Sequence, residues 1–192
     1  MQVSQVTADA HRPADGSKLP ETRPVIIVVS GLPGTGKSFF SRRLAELLPY
    51  VIVESDALRK KLFPKPSYSA SESAYLFRAI HYLIEELLKK GVSIIFDATN
   101  LAERHRTVVY RIAERANARL ILVRVHAPPE LVHKRLKSRV KQADLKERSD
   151  ADWAVYQKLK AAEERITRRH FTVNTSRDIT PVIDKIVREA NR

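Results

Sequence analysis

No cysteine occurs anywhere in the 192 residues. Disulfides and thiolate metal sites are thereby excluded, and a reducing compartment is permitted without being required. No stretch approaches the ~20 consecutive apolar residues of a membrane span. The opening MQVSQVTADAHRPADGSKLPETRP lacks the apolar core of a signal peptide. It reads as a flexible polar leader over residues 1–23. Internal repeats and low-complexity linkers are also missing. His81, His105, His126, His133 and His170 fall at no metal-ligand spacing, and the N-K-x-D pattern that selects guanine does not occur. These absences point to a cytoplasmic protein away from membranes and argue against a guanine-nucleotide switch.

What is present is a soluble globular composition, 43% apolar and 30% charged, in one domain's worth of chain. The net charge of +13 is unevenly spread: Leu101–His170 carries 18 Lys/Arg against nine Asp/Glu. A stretch of that sign suits a polyanion or a nucleoside triphosphate, or else forms solvated helix faces. Apolar runs alternate with helical patterns. PVIIVVSG (24–31), YVIVES (50–55), residues 92–97, RLILVRVHA (119–127) and FTVNTS (171–176) read as strands. Residues 37–49, 56–62, 69–91, about 102–117, 128–141, 150–170 and 178–190 read as helices. Strands that are nearly all apolar, each followed by a helix, predict an α/β fold: a five-stranded parallel sheet flanked by helices. Ligands of such sheets sit beyond the carboxyl ends of the strands. Residues 30–38, 54–59, 97–106, 126–139 and 174–177 are therefore the places to search.

After the first strand stands GLPGTGKS, a complete G-x-x-x-x-G-K-[ST]. Its glycines let successive N–H groups turn inward on phosphate oxygens, and the next helix adds its positive end. Gly31, Gly34, Thr35, Gly36, Lys37, Ser38 and Phe39 are the expected nucleotide-holding residues. Lys37 reaches the β- and γ-phosphates, and Ser38 offers a hydroxyl to Mg²⁺. The predicted cofactors are thus ATP and Mg²⁺.

The other strand ends suit phosphoryl transfer, which needs a base for the acceptor and cations for developing charge. In ESDALRKKL, Asp56 can take a hydroxyl proton, help hold Mg²⁺ with Ser38, or cap the helix that follows. Arg59, one turn on, can anchor the acceptor. Arg135 and Arg139 lie four apart on one helix face, a spacing that suits a lid closing on a triphosphate or else an exposed basic helix. In DATNLAERHR, Asp97 can hold Arg59 in place or orient Mg²⁺. Asn100 can contact acceptor or phosphate, Thr99/Asn100 can cap a helix, and Arg104 and Arg106 can face an incoming phosphodiester. Trp153 and Tyr156, three apart, are expected to pack their helix more readily than to stack on a base.

GLPGTGKS, DALR, DATN and RLKSR in this order resemble the polynucleotide 5′-hydroxyl kinase family of P-loop phosphotransferases, over about residues 25–177. Its wider clan includes kinases of the zeta-toxin and chloramphenicol phosphotransferase type. The resemblance implies an adenylate-kinase-like P-loop fold over residues 24–192 with a helical lid near 128–150. It makes Asp56 the general base and Arg59 the residue at the acceptor end. Lys37, Ser38, Arg135 and Arg139 become phosphate, metal and lid residues, with Lys37, Asp56 and Arg135 carrying catalysis. Arg59, Asp97, Asn100 and Arg104 become the acceptor side, and Thr175, in NTS after the last strand, lies where related kinases hold adenine. The implied reaction moves the γ-phosphate of ATP to a nucleic acid 5′ end. A small hydroxylated substrate (antibiotic, sugar or nucleotide sugar) and a slow ATP-gated binding module are the alternatives.

Overall fold

The computed structural model describes residues 23–141 and 153–192, except the side chains of 139–141. Residues 1–22 of the expected leader and the 142–150 part of the expected lid lie outside the described residues. Twelve elements follow one another: β1 (Val25–Ser30), α1 (Lys37–Ala45), β2 (Val51–Glu54), α2 (Ser55–Leu62), α3 (Ala70–Lys89), β3 (Ile94–Asp97), α4 (Glu103–Arg115), β4 (Arg119–His126), α5 (Pro129–Lys141), α6 (Trp153–Ala161), β5 (Phe171–Asn174) and α7 (Thr180–Ala190). The five strands pair in the order β2-β3-β1-β4-β5, and every pairing is parallel.

The central β1 is buried at all six positions, as a strand covered on both faces must be. Its side chains divide alternately between two cores. Ile26 and Val28 join Ile94, Phe96 and Leu122 beneath α3 and α4. Val25, Ile27 and Val29 join Ile95, Val123 and Val173 beneath α1 and α7. Leu76, Ile80, Ile84 and Leu88, four residues apart, form the buried stripe of α3, each residue stabilising the fold by about 1.5–3 kcal/mol relative to exposure. A third cluster, with Leu32, Leu101, Val132, Leu136 and Tyr156, packs α5 and α6 onto the carboxyl edge of the sheet. Trp153 stacks on Tyr156 with ring centroids 4.7 Å apart, and Tyr156 is buried. This pair therefore packs its helix.

Three local expectations are corrected. The helix read over 150–170 stops at Ala161. Instead, the Glu164 N–H donates to the Leu101 carbonyl (3.1 Å), and the Glu164 and Arg165 carbonyls both accept from Arg106 (3.2 Å). Residues 162–170 thus run as a strap along α4, with Ile166 buried in the core. Arg106 does not face solvent. It is 1% exposed and also reaches Glu103 and the carbonyls of Asn100 and Leu101. Its donors are occupied by the fold, so an incoming phosphodiester would find none of them. Finally, neither Thr99 nor Asn100 caps α4. The cap position is Ala102, and Asn100 adopts a left-handed φ of 47°, a conformation Asn tolerates better than most residues.

Candidate active site

The carboxyl ends of β1, β2, β3 and β5 meet around the phosphate loop. Gly31 is required there by close approach: a Cβ would stand 2.2 Å from the Val125 carbonyl oxygen. Gly36 forms the N-cap of α1 at φ 92°, a left-handed conformation suited to glycine. The turn points the first N–H groups of α1 into the loop, a ready-made seat for anionic oxygens. Thr35 is buried and donates to the Leu32 carbonyl at 2.7 Å, and Lys37 Nζ donates to the same carbonyl at 3.2 Å. Phe39 points outward and is 53% exposed.

The loop is tied on both flanks. Gly31 N–H donates to the Thr99 carbonyl (3.1 Å), and the Ser30 hydroxyl lies within reach of the Thr99 and Asn100 carbonyls. The Asn100 amide donates to Val29 at 3.2 Å. Asn100 therefore lashes the end of β3 to β1, a structural use of an amide expected at the acceptor. On the other flank, Arg135 donates to the Thr175 hydroxyl (2.8 Å) and carbonyl (3.0 Å) and approaches the Thr35 carbonyl (3.4 Å). The Thr175 hydroxyl donates in turn to Thr35 (2.6 Å). The α5 arginine, the phosphate loop and the residue after β5 thus form one cluster. Arg139 lies in α5, its side chain outside the described residues.

Three carboxylates face this cradle. In the β2–β3 register Glu54 is the partner of Asp97, so their side chains share one face of the sheet. The Ser38 hydroxyl donates to Glu54 at 3.2 Å. Burial raises the Asp97 carboxyl, opposed by Lys37 and the Ser38 hydroxyl and reinforced by Asp56. Burial likewise raises Glu54, aided by the charges of Asp97 and Asp56 and countered by the Ser38 hydroxyl. Asp97 is 3% exposed, and its Oδ2 has no hydrogen-bond partner among the described residues. Asp56 stands exposed in the first turn of α2. The N-cap of that helix is Glu54, whose side chain makes no capping bond, so neither Ser55 nor Asp56 acts as its cap.

The Ser38 hydroxyl, held by Glu54, and the orphaned Asp97 oxygen are hard oxygen donors of the kind that fits a cation such as Mg²⁺. Among the described residues no three His, Asp or Glu side chains form a metal cage. An ion here would keep water and phosphate oxygens as its other ligands.

Arg59 departs from expectation. Its guanidinium pairs with Glu72, donates to Ser73 at 3.2 Å and lies 4.8 Å from the centre of the Tyr68 ring. Glu72, on α3, therefore takes the partner role expected of Asp97. Burial by itself would raise the Glu72 carboxyl. Donors from Ser67, Arg59 and the Tyr68 backbone nevertheless hold it down at about 2. Arg104 is exposed near the start of α4, its Nε 3.4 Å from His105. Sequence reasoning missed Glu54 and Glu72. Glu54 closes an apolar run, and only the pairing of β2 with β3 brings it beside Asp97. Glu72 stands in the first turn of α3, where an acid suits the helix end whether or not it has a partner, so only the packing of α2 on α3 marks it.

A protein-family model described as an AAA domain matches residues 26–166. A UPF0200 protein of Saccharolobus islandicus is 32% identical over 139 residues, which are 65% of this chain and 70% of that protein. The L-seryl-tRNA(Sec) kinase of Methanococcus maripaludis is 29% identical over 116 residues, 58% of this chain and 44% of the kinase. Among solved structures, Chaetomium thermophilum Kti12 in complex with ADP-AlF3 superposes with a TM-score of 0.69 at 22% identity, covering 84% of this chain and 96% of Kti12. With its phosphate loop opening α1 and its all-parallel sheet, the chain has a P-loop kinase fold and belongs to the AAA domain family.

Proposed function

We propose that this protein transfers the γ-phosphoryl group of ATP to a hydroxyl group, and that the acceptor is the 5′-hydroxyl end of a polynucleotide. The observation that carries the reading is Asp56: an exposed carboxylate in the first turn of α2, two residues past Glu54, which pairs in register with Asp97 at the carboxyl end of the sheet. In this reading Lys37 and the N–H groups of Gly34–Ser38 hold the β- and γ-phosphates. Ser38 and Asp97 would hold Mg²⁺, with Glu54 orienting the Ser38 hydroxyl, and the ion would offset charge on the transferring phosphoryl group. Asp56 takes the proton of the acceptor hydroxyl as its oxygen bonds to the γ-phosphorus. The bond from that phosphorus to the β–γ bridging oxygen breaks, and ADP keeps the bridging oxygen. Arg135, anchored between Thr175 and Thr35, adds a cation at the donor side, with Arg139 one turn on along α5. Arg59 positions Tyr68 at the acceptor rim, and Arg104 adds positive charge near the start of α4.

The nucleic-acid half of the proposal draws on the net charge of +13, and a relative named as a kinase of a tRNA-borne acceptor is compatible with it. The second reading is a small hydroxylated acceptor. It is favoured by the pairing of Arg59 with Glu72, which neutralises the cation closest in sequence to Asp56.

The test incubates γ-labelled ATP and Mg²⁺ with 5′-hydroxyl DNA and RNA oligonucleotides, using wild type and Asp56→Ala. Label on the oligonucleotide, lost by about 10²–10⁴-fold in the variant while ATP stays bound, is the expected result. Transfer to small hydroxylated compounds alone, insensitive to salt, would replace the acceptor. Equal transfer by the variant would remove Asp56 from the chemistry.

A further inference from the structure

Six tyrosines occur in the chain. Tyr110 and Tyr156 are buried in the cores and Tyr50 is half-buried. The other three, Tyr68, Tyr75 and Tyr82, are 47%, 56% and 69% exposed. They are spaced seven apart, from the residues just before α3 into its middle. Seven residues make about two helical turns, a rise of about 10.5 Å, so Tyr75 and Tyr82 stand on nearly the same face. α3 leads into β3, whose carboxyl end carries Asp97, so α3 starts at the rim of the candidate site and runs toward the opposite edge of the sheet. The tyrosines thus descend from that rim.

Tyr68 is held at the rim against a local cost. Its φ of 54° is left-handed, a conformation that disfavours a bulky residue. The conformation persists because the ring lies over Arg59 and the carboxylate of Glu72 accepts from the N–H groups of Ser67 and Tyr68. Tyr75 is steadied by Phe63, edge-on with ring centroids 6.0 Å apart. The charge around this line is positive. Lys60, Lys61, Lys65 and Arg78 are exposed on α2, the connecting loop and α3. The acids of α3 are paired: Glu72 with Arg59, Glu85 with Arg115, and Glu86 with Lys89.

We propose that the exposed face of α3 is a track for single-stranded nucleic acid, with Tyr68, Tyr75 and Tyr82 as successive base platforms. The inference rests on the nucleic-acid reading of the acceptor and extends it: the 5′ end enters at Asp56 and the following nucleotides run down α3. Aromatic faces interleaved with cations are what an unpaired strand recognises, because every base offers a π-face and every nucleotide a charge. Such a track reads little sequence.

The test measures fluorescence anisotropy of 3′-labelled, 5′-hydroxyl DNA and RNA strands of about twelve nucleotides. Wild type is compared with Tyr75→Ala, Tyr82→Ala and the matching phenylalanine variants, with phosphoryl transfer followed in parallel. Expected are an affinity that falls steeply with salt, a loss of about tenfold or more for each alanine, and retention with phenylalanine. Thermal midpoints should stay within about 2 °C of wild type, since both rings are mostly exposed. Transfer to the strand with alanine variants binding as well as wild type overturns the track and leaves the kinase reading intact. Tyrosine-dependent binding without transfer keeps the track and defeats that reading. No binding by wild type defeats both. Unchanged strand binding with a change of oligomeric state on alanine substitution assigns the face to a second copy and also overturns the track.

Discussion

Glu54 sits where a strand ends, accepts a 3.2 Å hydrogen bond from the Ser38 hydroxyl and shares its face with Asp97. A carboxylate in that position leaves the lone pairs of Ser38 for a metal ion while holding the hydroxyl in one orientation. Supporting contacts of this kind are worth about 10–100-fold in metal affinity. Glu54→Gln keeps the shape and removes the charge. Calorimetry of a non-hydrolysable ATP analogue should show the enhancement by Mg²⁺ falling about tenfold, with metal-free nucleotide binding unchanged. An unaltered Mg²⁺ enhancement would reduce Glu54 to a packing residue. The phosphate loop was legible as written, since G-x-x-x-x-G-K-[ST] brings its own backbone geometry. The identity of Arg59's partner was not legible, because Asp97 and Glu72 are both plausible by charge and only the packing of α2 against α3 chooses Glu72.

At the scale of elements, the strap over residues 162–170 depends on a buried cation instead of helical hydrogen bonds. Arg106 joins the start of α4 to the strap through the carbonyls of Glu164 and Arg165, and to the loop before α4 through those of Asn100 and Leu101. Arg106→Met fills much of the same volume and leaves the Glu164 and Arg165 carbonyls without the donor they have in Arg106, while those of Leu101 and Asn100 keep the Glu164 N–H and the Ser30 hydroxyl. A buried acceptor left unmade costs about 1–3 kcal/mol, so chemical denaturation should report a loss of about 3 kcal/mol or more. Because the Asn100–Leu101 loop adjoins the phosphate loop, nucleotide affinity should fall too. A loss under about 0.5 kcal/mol, the range of ordinary surface changes, would contradict the latch. In sequence, AAEERITRRH continues the polar helical pattern of α6 without a break, so periodicity extends the helix. The competing tertiary bonds are invisible to it.

Across the whole molecule, burial is what separates pH behaviour from composition. His81 is held below the usual histidine range by burial and by His105. His105 is lowered by burial and by Arg104, with Arg106 acting the same way and Glu164 opposing. A histidine whose folded value is lowered binds protons better when unfolded. It therefore leaves stability intact above the unfolded pKa of about 6.5 and removes stability as the pH falls below it. Asp97 and Glu54, raised by burial, act in the opposite sense, so a difference measurement is needed. The thermal midpoint of wild type minus that of His81→Gln should be constant above about pH 7 and decline toward pH 5. A difference that grows on acidification would reverse the sign of the His81 effect.

The chain's own letters determined the α/β class, because apolar β-branched runs alternating with helical periods have few other ways to bury themselves. They determined the phosphate loop for the same local reason, and the placement of ligand residues at strand ends follows from any parallel sheet. Tertiary structure alone decided the rest. Strand order put Glu54 beside Asp97, and helix packing paired Arg59 with Glu72. Bonds from Leu101 and Arg106 to Glu164 and Arg165 hold the segment after α6 in the strap and bury Arg106. Each of these is a contact between residues distant in sequence. A carboxylate or guanidinium carries the same chemistry wherever it is written, and what it does depends on which partner the fold brings within about 3 Å.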